Sequence, residues 1–405
     1  MKLQFGEETL AFRKEFLSWL DANRPSEAEM EADPSKSSAH APEWARQFSR
    51  RLFDAGWLVP GWPPELGGRN AGAVETLVYL EAFAESGVPR STNPQGLGII
   101  APSIIDYGTE EQIEKYAMPL LRGEITACLG MSEPDAGSDL ASLKTSAVRD
   151  GDEWVLNGQK VWTSGAEYAD ICFLFCRTDP NSAKHAGISI ILVPMDTPGL
   201  TVKPLKELVH PDKPDLAEVF LDDARVPAGN LVGELNNGWR MANGSLAHER
   251  SMVWLSSVLE TEAAMDDLRE NAQKLFEPLT ASEQAVAADD IVRLYAETRA
   301  LRALGYRGFA RFVKGGTAPE QALMKAYASE TRRDVERIAA QWQGPASLND
   351  TTGQTEAYRV MGNRDSEGGS LEEYFVTFAA TISAGTSEIQ RNIIAERVLG
   401  LPRDK

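Results

Sequence analysis

Met131 to Asp139 reads MSEPDAGSD, with two hydroxyls and three carboxylates set among small residues and a proline. Such a composition makes a tight loop that exposes backbone N–H groups, and Ser132 and Ser138 can bond a ligand's polar atoms; an ordinary acidic turn has the same letters. Some twenty residues on, Trp162-Thr163-Ser164-Gly165 places a large flat aromatic beside two hydroxyls in a strand. A lone Trp there can equally fill a core. Gly96-Leu-Gly98-Ile-Ile-Ala101 fits the letters of the dinucleotide fingerprint, but RSTNPQ precedes it and is no strand, so a glycine-softened helix start is the better reading. There is no P-loop, H-E-x-x-H or G-x-S-x-G. Four histidines (His40, His185, His210, His248) leave little for a His-based hydrolase or a metal site, and no metal is expected. Cys172 and Cys176 lie in ICFLFC, a buried-strand pattern in which reduced core thiols outweigh a metal pair.

These segments must be held by larger elements. From Phe5 to about Leu121 the apolar spacing is helical, as in ETLAFRKEFLSWL and PEWARQFSRRLFDAGW. MEADPSKSSAHAP (Met30 to Pro42) is polar and reads as an exposed connector. Between about Thr126 and Glu234 short β-rich runs alternate with turn signals, and Asn157-Gly158 is the strongest hairpin signal in the chain. Helical patterns return from Asn237, with a loop expected within 271–290. Helices, then strands, then helices imply segregated domains, not an alternating βαβ sheet. The expected domains are 1–125, 126–235 (a small β-barrel or sandwich) and 236–405.

A chain of 405 residues can bury two or three cores. Its formal charge of −19 argues against nucleic-acid binding, which needs a basic surface, but not against a phosphorylated cofactor held by backbone N–H groups. No run approaches the ~18–20 apolar residues of a membrane span, and the N-terminus lacks an apolar signal core, so a cytoplasmic chain is expected.

The two chemical segments together resemble the TEPxxGSD and NGxKxWIT signature of acyl-CoA dehydrogenases. The resemblance runs nearly the whole length, through PGWPPELGG (Pro60 to Gly68), EVFLDDARVPAGNLVG (Glu218 to Gly233) and GTSEIQRNIIAERVLGLPR (Gly385 to Arg403). It implies an α+β multidomain fold: an N-terminal helical domain, a middle β-barrel and a C-terminal four-helix bundle. It also implies FAD, with acyl-CoA as substrate. The loop containing Leu129, Met131 and Ser132 would bind the flavin ring, and Ser138 the CoA moiety. Trp162 would stack on the flavin, with Thr163 and Ser164 carrying the hydroxyl that nears N5; Thr163 replaces the usual aliphatic. Thr386, Ser387 and Glu388 would hold the FAD diphosphate region.

Many relatives carry the catalytic base as a Glu just before Gly-Thr of the last motif. Here that position is Ala384, which cannot accept a proton. The resemblance offers a second position, on the helix opening the C-terminal domain, where Glu249 aligns. Leu246, Met252 and Val253 at i−3, i+3 and i+4 give it an apolar helix face, and burial there raises a carboxylate pKa toward that of an effective base. Arg250 matches an arginine near the thioester, and Ala384 still offers the backbone N–H that polarises the carbonyl.

Acyl-CoA dehydrogenation with electrons passed to an electron-transfer flavoprotein is the expected activity. An acyl-CoA oxidase, a flavin monooxygenase of the same fold, or an FAD-holding subunit of a heteromer are the alternatives. The acyl chain stays open between straight, branched and steroid-derived. A homo- or hetero-oligomer is implied. Homo-oligomeric relatives grip FAD across subunits through an Arg-x-x-Phe-Gly run and a Gln-x-x-Gly-Gly turn. This chain lacks the first between about Met265 and Asp290 and reads Gln341-Trp-Gln-Gly344-Pro345 at the second.

Overall fold

The computed structural model describes residues 5–209, 214–314, 320–348 and 370–402, without the side chains of 243–254, 312, 320–322 and 370. Two compact units emerge among the described residues, one ending at Glu249 and the other beginning at Arg250. Helical, β-sheet and helical segments follow one another along the chain, as the resemblance implies.

In the first unit the helices Glu7–Asn23, Glu43–Asp54, Ala73–Glu85 and Ala101–Tyr107 close on an aromatic core. Phe16 lies 5.1 Å from Trp57 and 4.6 Å from Tyr79, ring centre to ring centre. The Tyr79 hydroxyl donates to the Trp57 carbonyl at 2.5 Å, so the buried phenol is satisfied. The Gly-Leu-Gly segment forms a π-helical turn, Gly96–Ile100, running into the helix that starts at Ala101. Asn93 forces its first glycine: a Cβ on Gly96 would lie 2.0 Å from Asn93 Oδ1.

Eight strands make one sheet: β1 Ala127–Gly130, β2 Ser146–Asp150, β3 Glu153–Ser164, β4 Ile171–Arg177, β5 Ile188–Pro194, β6 Leu200–Pro204, β7 Leu216–Pro227 and β8 Leu231–Val232. The order is β6-β7-β3-β2-β4-β5-β8, with β1 parallel to β4 off that path. β4 and β5 are buried on both faces, hence their unbroken apolar text. Phe173, Phe175, Ile188 and Ile190 face the helices. Cys172, Leu174, Cys176 and Ile191 alternate with them and meet Leu156, Val219 and Leu221 of β3 and β7, so the sheet coils over its own core. All three cysteines are buried free thiols.

Two local expectations fail here. Asn157-Gly158 makes no hairpin turn; β3 runs straight through it with a register shift against β7. Asn157 instead bonds across to Asp223, donating to Oδ1 and accepting from its N–H, both at 2.9 Å. Gly158 is needed for close approach, because a Cβ would lie 2.5 Å from Thr145 Oγ1. The stretch Met30 to Pro42 is not an exposed connector either: Ser35, Ser37, Ser38 and Ala39 are buried, and Ala39 joins the core of the coiled sheet. Its hydroxyls bond inside the protein. Ser38 donates through N–H and Oγ to the two oxygens of Asp215, at 2.7 and 2.9 Å.

The second unit packs the helices Ala281–Val313, Glu320–Gln343 and Ser370–Ile382 with the part of Gly238–Phe276 that follows Arg250, around Leu268, Leu294, Val335 and Ile338. The loop expected within 271–290 is the turn at 277–280, where Thr280 and Glu283 form a capping box for the next helix.

Candidate functional site

The site residues fall into two groups, one in each unit. In the first, the parallel pairing of β1 with β4 delivers Leu129 to the sheet edge, and the chain then turns through Met131 and Ser132. Glu133 and Ala136 exchange two backbone hydrogen bonds of 3.0 Å, which closes the turn over Pro134 and Asp135. The Val161 N–H donates to the Ser132 carbonyl at 2.9 Å, so the loop lies directly against β3.

β3 changes course at the next residue. Trp162 has a left-handed φ of 59°, and the register against β7 slips between Lys160 and Thr163: one extra residue is inserted, a β-bulge. The bulge breaks the alternation and turns the indole out, 62% exposed, while Thr163 turns in and is fully buried. Trp162 therefore does not fill the sheet core. A bulky residue at positive φ stores about 1–2 kcal/mol of strain, which marks a position that serves something besides folding. Thr163 Oγ1 is buried with no partner among the described residues. Trp162→Gly is expected to leave the flavin-free protein at least as stable, because glycine relieves the strain and little indole is buried. The same variant should weaken FAD retention at least tenfold, a loss of the order of one aromatic stack. Thermal melting and a flavin titration of one preparation check both halves.

Ser138 is exposed, beyond the loop's tight part. Its neighbour Asp139 accepts from Lys184 Nζ at 2.7 Å and from Ser142 Oγ at 2.5 Å, and these two bonds hold its carboxyl below the usual range.

One buried ion pair escaped the sequence reading. Lys160, fully buried, donates to Glu133 Oε1 at 2.8 Å and to the Met131 carbonyl at 3.0 Å. Glu133 also accepts from the N–H groups of Lys144 (2.6 Å) and Thr145 (2.8 Å). Burial by itself raises the Glu133 carboxyl, but the Lys160 ammonium and these bonds outweigh it and hold the group ionised. The available signal was strand parity: Lys160 shares the inward phase of Trp154 and Leu156.

In the second unit the chain turns between two helices through Ala384 (φ 51°) and Gly385 (φ 91°). Both carbonyls of this turn are held, that of Ala384 by Gln390 Nε2 at 3.1 Å and that of Gly385 by Lys325 Nζ at 2.6 Å. Burial lowers the Lys325 pKa. Thr386 then caps the helix Ser387–Ile393, its Oγ1 accepting from the Ile389 N–H at 3.2 Å. Beside it lies a polar cleft of about 360 Å³ lined by Arg333, Thr381, Ser387, Glu388 and the ion pair of Arg391 with Glu330 (2.6 Å). Thr386, Ser387 and Glu388 differ in what they offer a ligand. Ser387 Oγ is buried with no partner among the described residues, whereas Thr386 Oγ1 is engaged as the cap acceptor and the Glu388 carboxyl is held below its ordinary range by its own backbone N–H and the Thr386 hydroxyl. An orphaned hydroxyl beside a helix N-terminus suits an oxyanion such as a diphosphate, so the donor set fits the implied FAD.

Glu249 and Arg250 lie on the helix Gly238–Phe276, and their side chains fall outside the described residues. No group of three or more potential metal ligands occurs among the described residues. None of the described helices is long and apolar enough to cross a membrane.

Three family models match the chain in order: acyl-CoA dehydrogenase N-terminal domain over residues 6–124, middle domain over 128–224 and C-terminal domain over 236–399. The chain belongs to the acyl-CoA dehydrogenase family. It is 34% identical to acyl-CoA dehydrogenase IpdE1 of Mycobacterium tuberculosis, over 97% of this chain and 98% of the relative. Among solved structures it is similar to the Tcur3481-Tcur3483 steroid ACAD, at 31% identity and a TM-score of 0.77, all of both chains being covered. A similar match is the ChsE4-ChsE5 complex from Mycobacterium tuberculosis, at 30% identity and a TM-score of 0.79, again over all of both chains. This acyl-CoA dehydrogenase therefore matches, over its whole length, chains of two structures that are each named for a pair of proteins.

Proposed function

We propose that this enzyme removes a Cα proton and a Cβ hydride from a CoA thioester with a bulky, steroid-derived acyl group, and passes the electrons to an electron-transfer flavoprotein. FAD, when bound, supplies the hydride acceptor. The observation that carries the flavin part of the reading is the bulge at Trp162, which sets an exposed indole beside the Met131–Ser132 loop at a cost in strain. Ser132 and Trp162 would present a hydroxyl and a flat apolar face to a ring system, and Ser387 would donate to the diphosphate. Ala384 keeps a backbone N–H for the thioester carbonyl while Glu249 takes the proton. Similarity to a steroid ACAD and to the ChsE4-ChsE5 complex supports the acyl class and a two-chain assembly.

The test is anaerobic mixing of the flavin-loaded enzyme with a panel of acyl-CoA thioesters. Steroid side-chain thioesters are expected to bleach the flavin absorbance at least tenfold faster than straight-chain ones, and oxygen should restore the colour slowly. Rapid reoxidation by oxygen would instead favour an oxidase. Equal bleaching by all chain types would remove the steroid assignment.

A further inference from the structure

Lys160 carries a positive charge at a fully buried strand position. Its exposure is nil, and among the described residues it donates to the Glu133 carboxylate and the Met131 carbonyl. Taking an ammonium out of water is costly even when it is paired, and replacing a buried ion pair by apolar residues of similar volume is often neutral or favourable. Stability is therefore a weak reason for this lysine. Its geometry suggests another.

Across a trans peptide the C=O and the following N–H point in opposite directions. With the Met131 carbonyl drawn inward to Nζ, the Ser132 N–H faces away from Lys160, and no described residue accepts from it. The next peptide is fixed too, because the Ser132 carbonyl receives the Val161 N–H. Trp162 follows at once, turned outward by the bulge. One side chain on β3, two residues before the indole, thus sets the direction of the loop donor beside it. Glu133 holds the ammonium in place and is itself tied to the Lys144 and Thr145 N–H groups, which anchors the far end of the loop.

We propose that Lys160 is a positioning residue: it holds the Met131 carbonyl inward, so that the Ser132 N–H and the Trp162 indole face one ligand, the flavin ring, in fixed register. The assignment rests on the flavin reading above. Glu133 has the lesser part, since a neutral lysine amine can still donate to the carbonyl.

Lys160→Met, Glu133→Gln and the double variant separate positioning from core filling, each made in the full chain and titrated with FAD beside the wild type. Both single variants should melt at lower temperature, each leaving a buried charge without its counter-charge. The double variant, with neither charge, should regain most of that loss. Flavin binding should not follow stability. Lys160→Met and the double variant are expected to bind FAD about tenfold or more weakly, with a displaced visible band, because methionine cannot donate to the carbonyl. Glu133→Gln should keep the wild-type band position despite its lower melting temperature. If a single variant yields no folded protein, the double variant carries the comparison by itself. Wild-type affinity and band position in the double variant would overturn the assignment and reduce Lys160 to a filler. A wild-type chain with no saturable FAD uptake, even at large flavin excess, would overturn the flavin reading as well.

Discussion

Glu249→Gln is expected to leave FAD bound and to lower turnover by about 10²–10⁴-fold, the usual contribution of a positioned general base. The amide keeps the size of the side chain and loses the proton acceptor. Ala384 occupies the position where many relatives place the base, and its left-handed φ belongs to a turn whose two carbonyls are held by Gln390 and Lys325. The backbone is kept and the carboxylate is gone, so the proton must go elsewhere. On the helix Gly238–Phe276, Glu249 stands at the second position that the family resemblance offers for the base, with Leu246, Met252 and Val253 within a turn in the sequence. Adding Ala384→Glu to the Glu249→Gln variant should recover measurable turnover on straight-chain thioesters if both positions face one Cα. Steady-state turnover and bound flavin, measured on the same preparations, decide the matter. Turnover by Glu249→Gln within a few-fold of wild type would remove Glu249 from the mechanism.

How much of this was legible without coordinates depended on whether the signal was periodic or local. Helices before and after a β region follow from apolar spacing, because a 3.6-residue period and a two-residue period differ over any long segment. The two chemical loops were legible because small residues, hydroxyls and a tryptophan cluster there. Asn157-Gly158 misled for a physical reason: a glycine that permits unusual φ and one that permits close approach carry the same letter. Only the partner, here Thr145, tells them apart, and it lies thirteen residues upstream. Ser35, Ser37 and Ser38 misled similarly, since a polar stretch is buried at little cost once Asp215, nearly two hundred residues away, accepts its donors. The outward turn of Trp162 was hidden as well, because a bulge is a two-strand property that requires knowing the register against β7.

The second large effect concerns assembly: purified by itself, the chain is expected to carry clearly less than one FAD per protomer and to fill when a second, non-identical subunit with the missing elements is added. At the turn where homo-oligomeric relatives offer Gly-Gly, the helix Glu320–Gln343 ends in Gly344-Pro345. Gly344 takes a φ of 60°, so the turn itself is kept, and its carbonyl accepts from Ser347 Oγ at 2.7 Å. Pro345 has no N–H to give a phosphate. Between Met265 and Asp290 the residues form one helix end, the turn at 277–280 and the start of the next helix, without an Arg-x-x-Phe-Gly run. Losing a charge-assisted contact and a backbone donor weakens binding by roughly 2–4 kcal/mol, taking about 1.5–3 for each hydrogen bond to a charged group and allowing for non-additivity. That is about 30- to 1000-fold in affinity. A partner with both elements intact would supply them in trans, giving one tight FAD per pair of chains while this chain contributes the Trp162 face and the base. Flavin absorbance against protein concentration, with and without co-expressed candidate partners, measures the ratio directly. One tightly held FAD per chain in the isolated protein would show that other residues have replaced the missing grip, and the two-chain assembly would lose its reason.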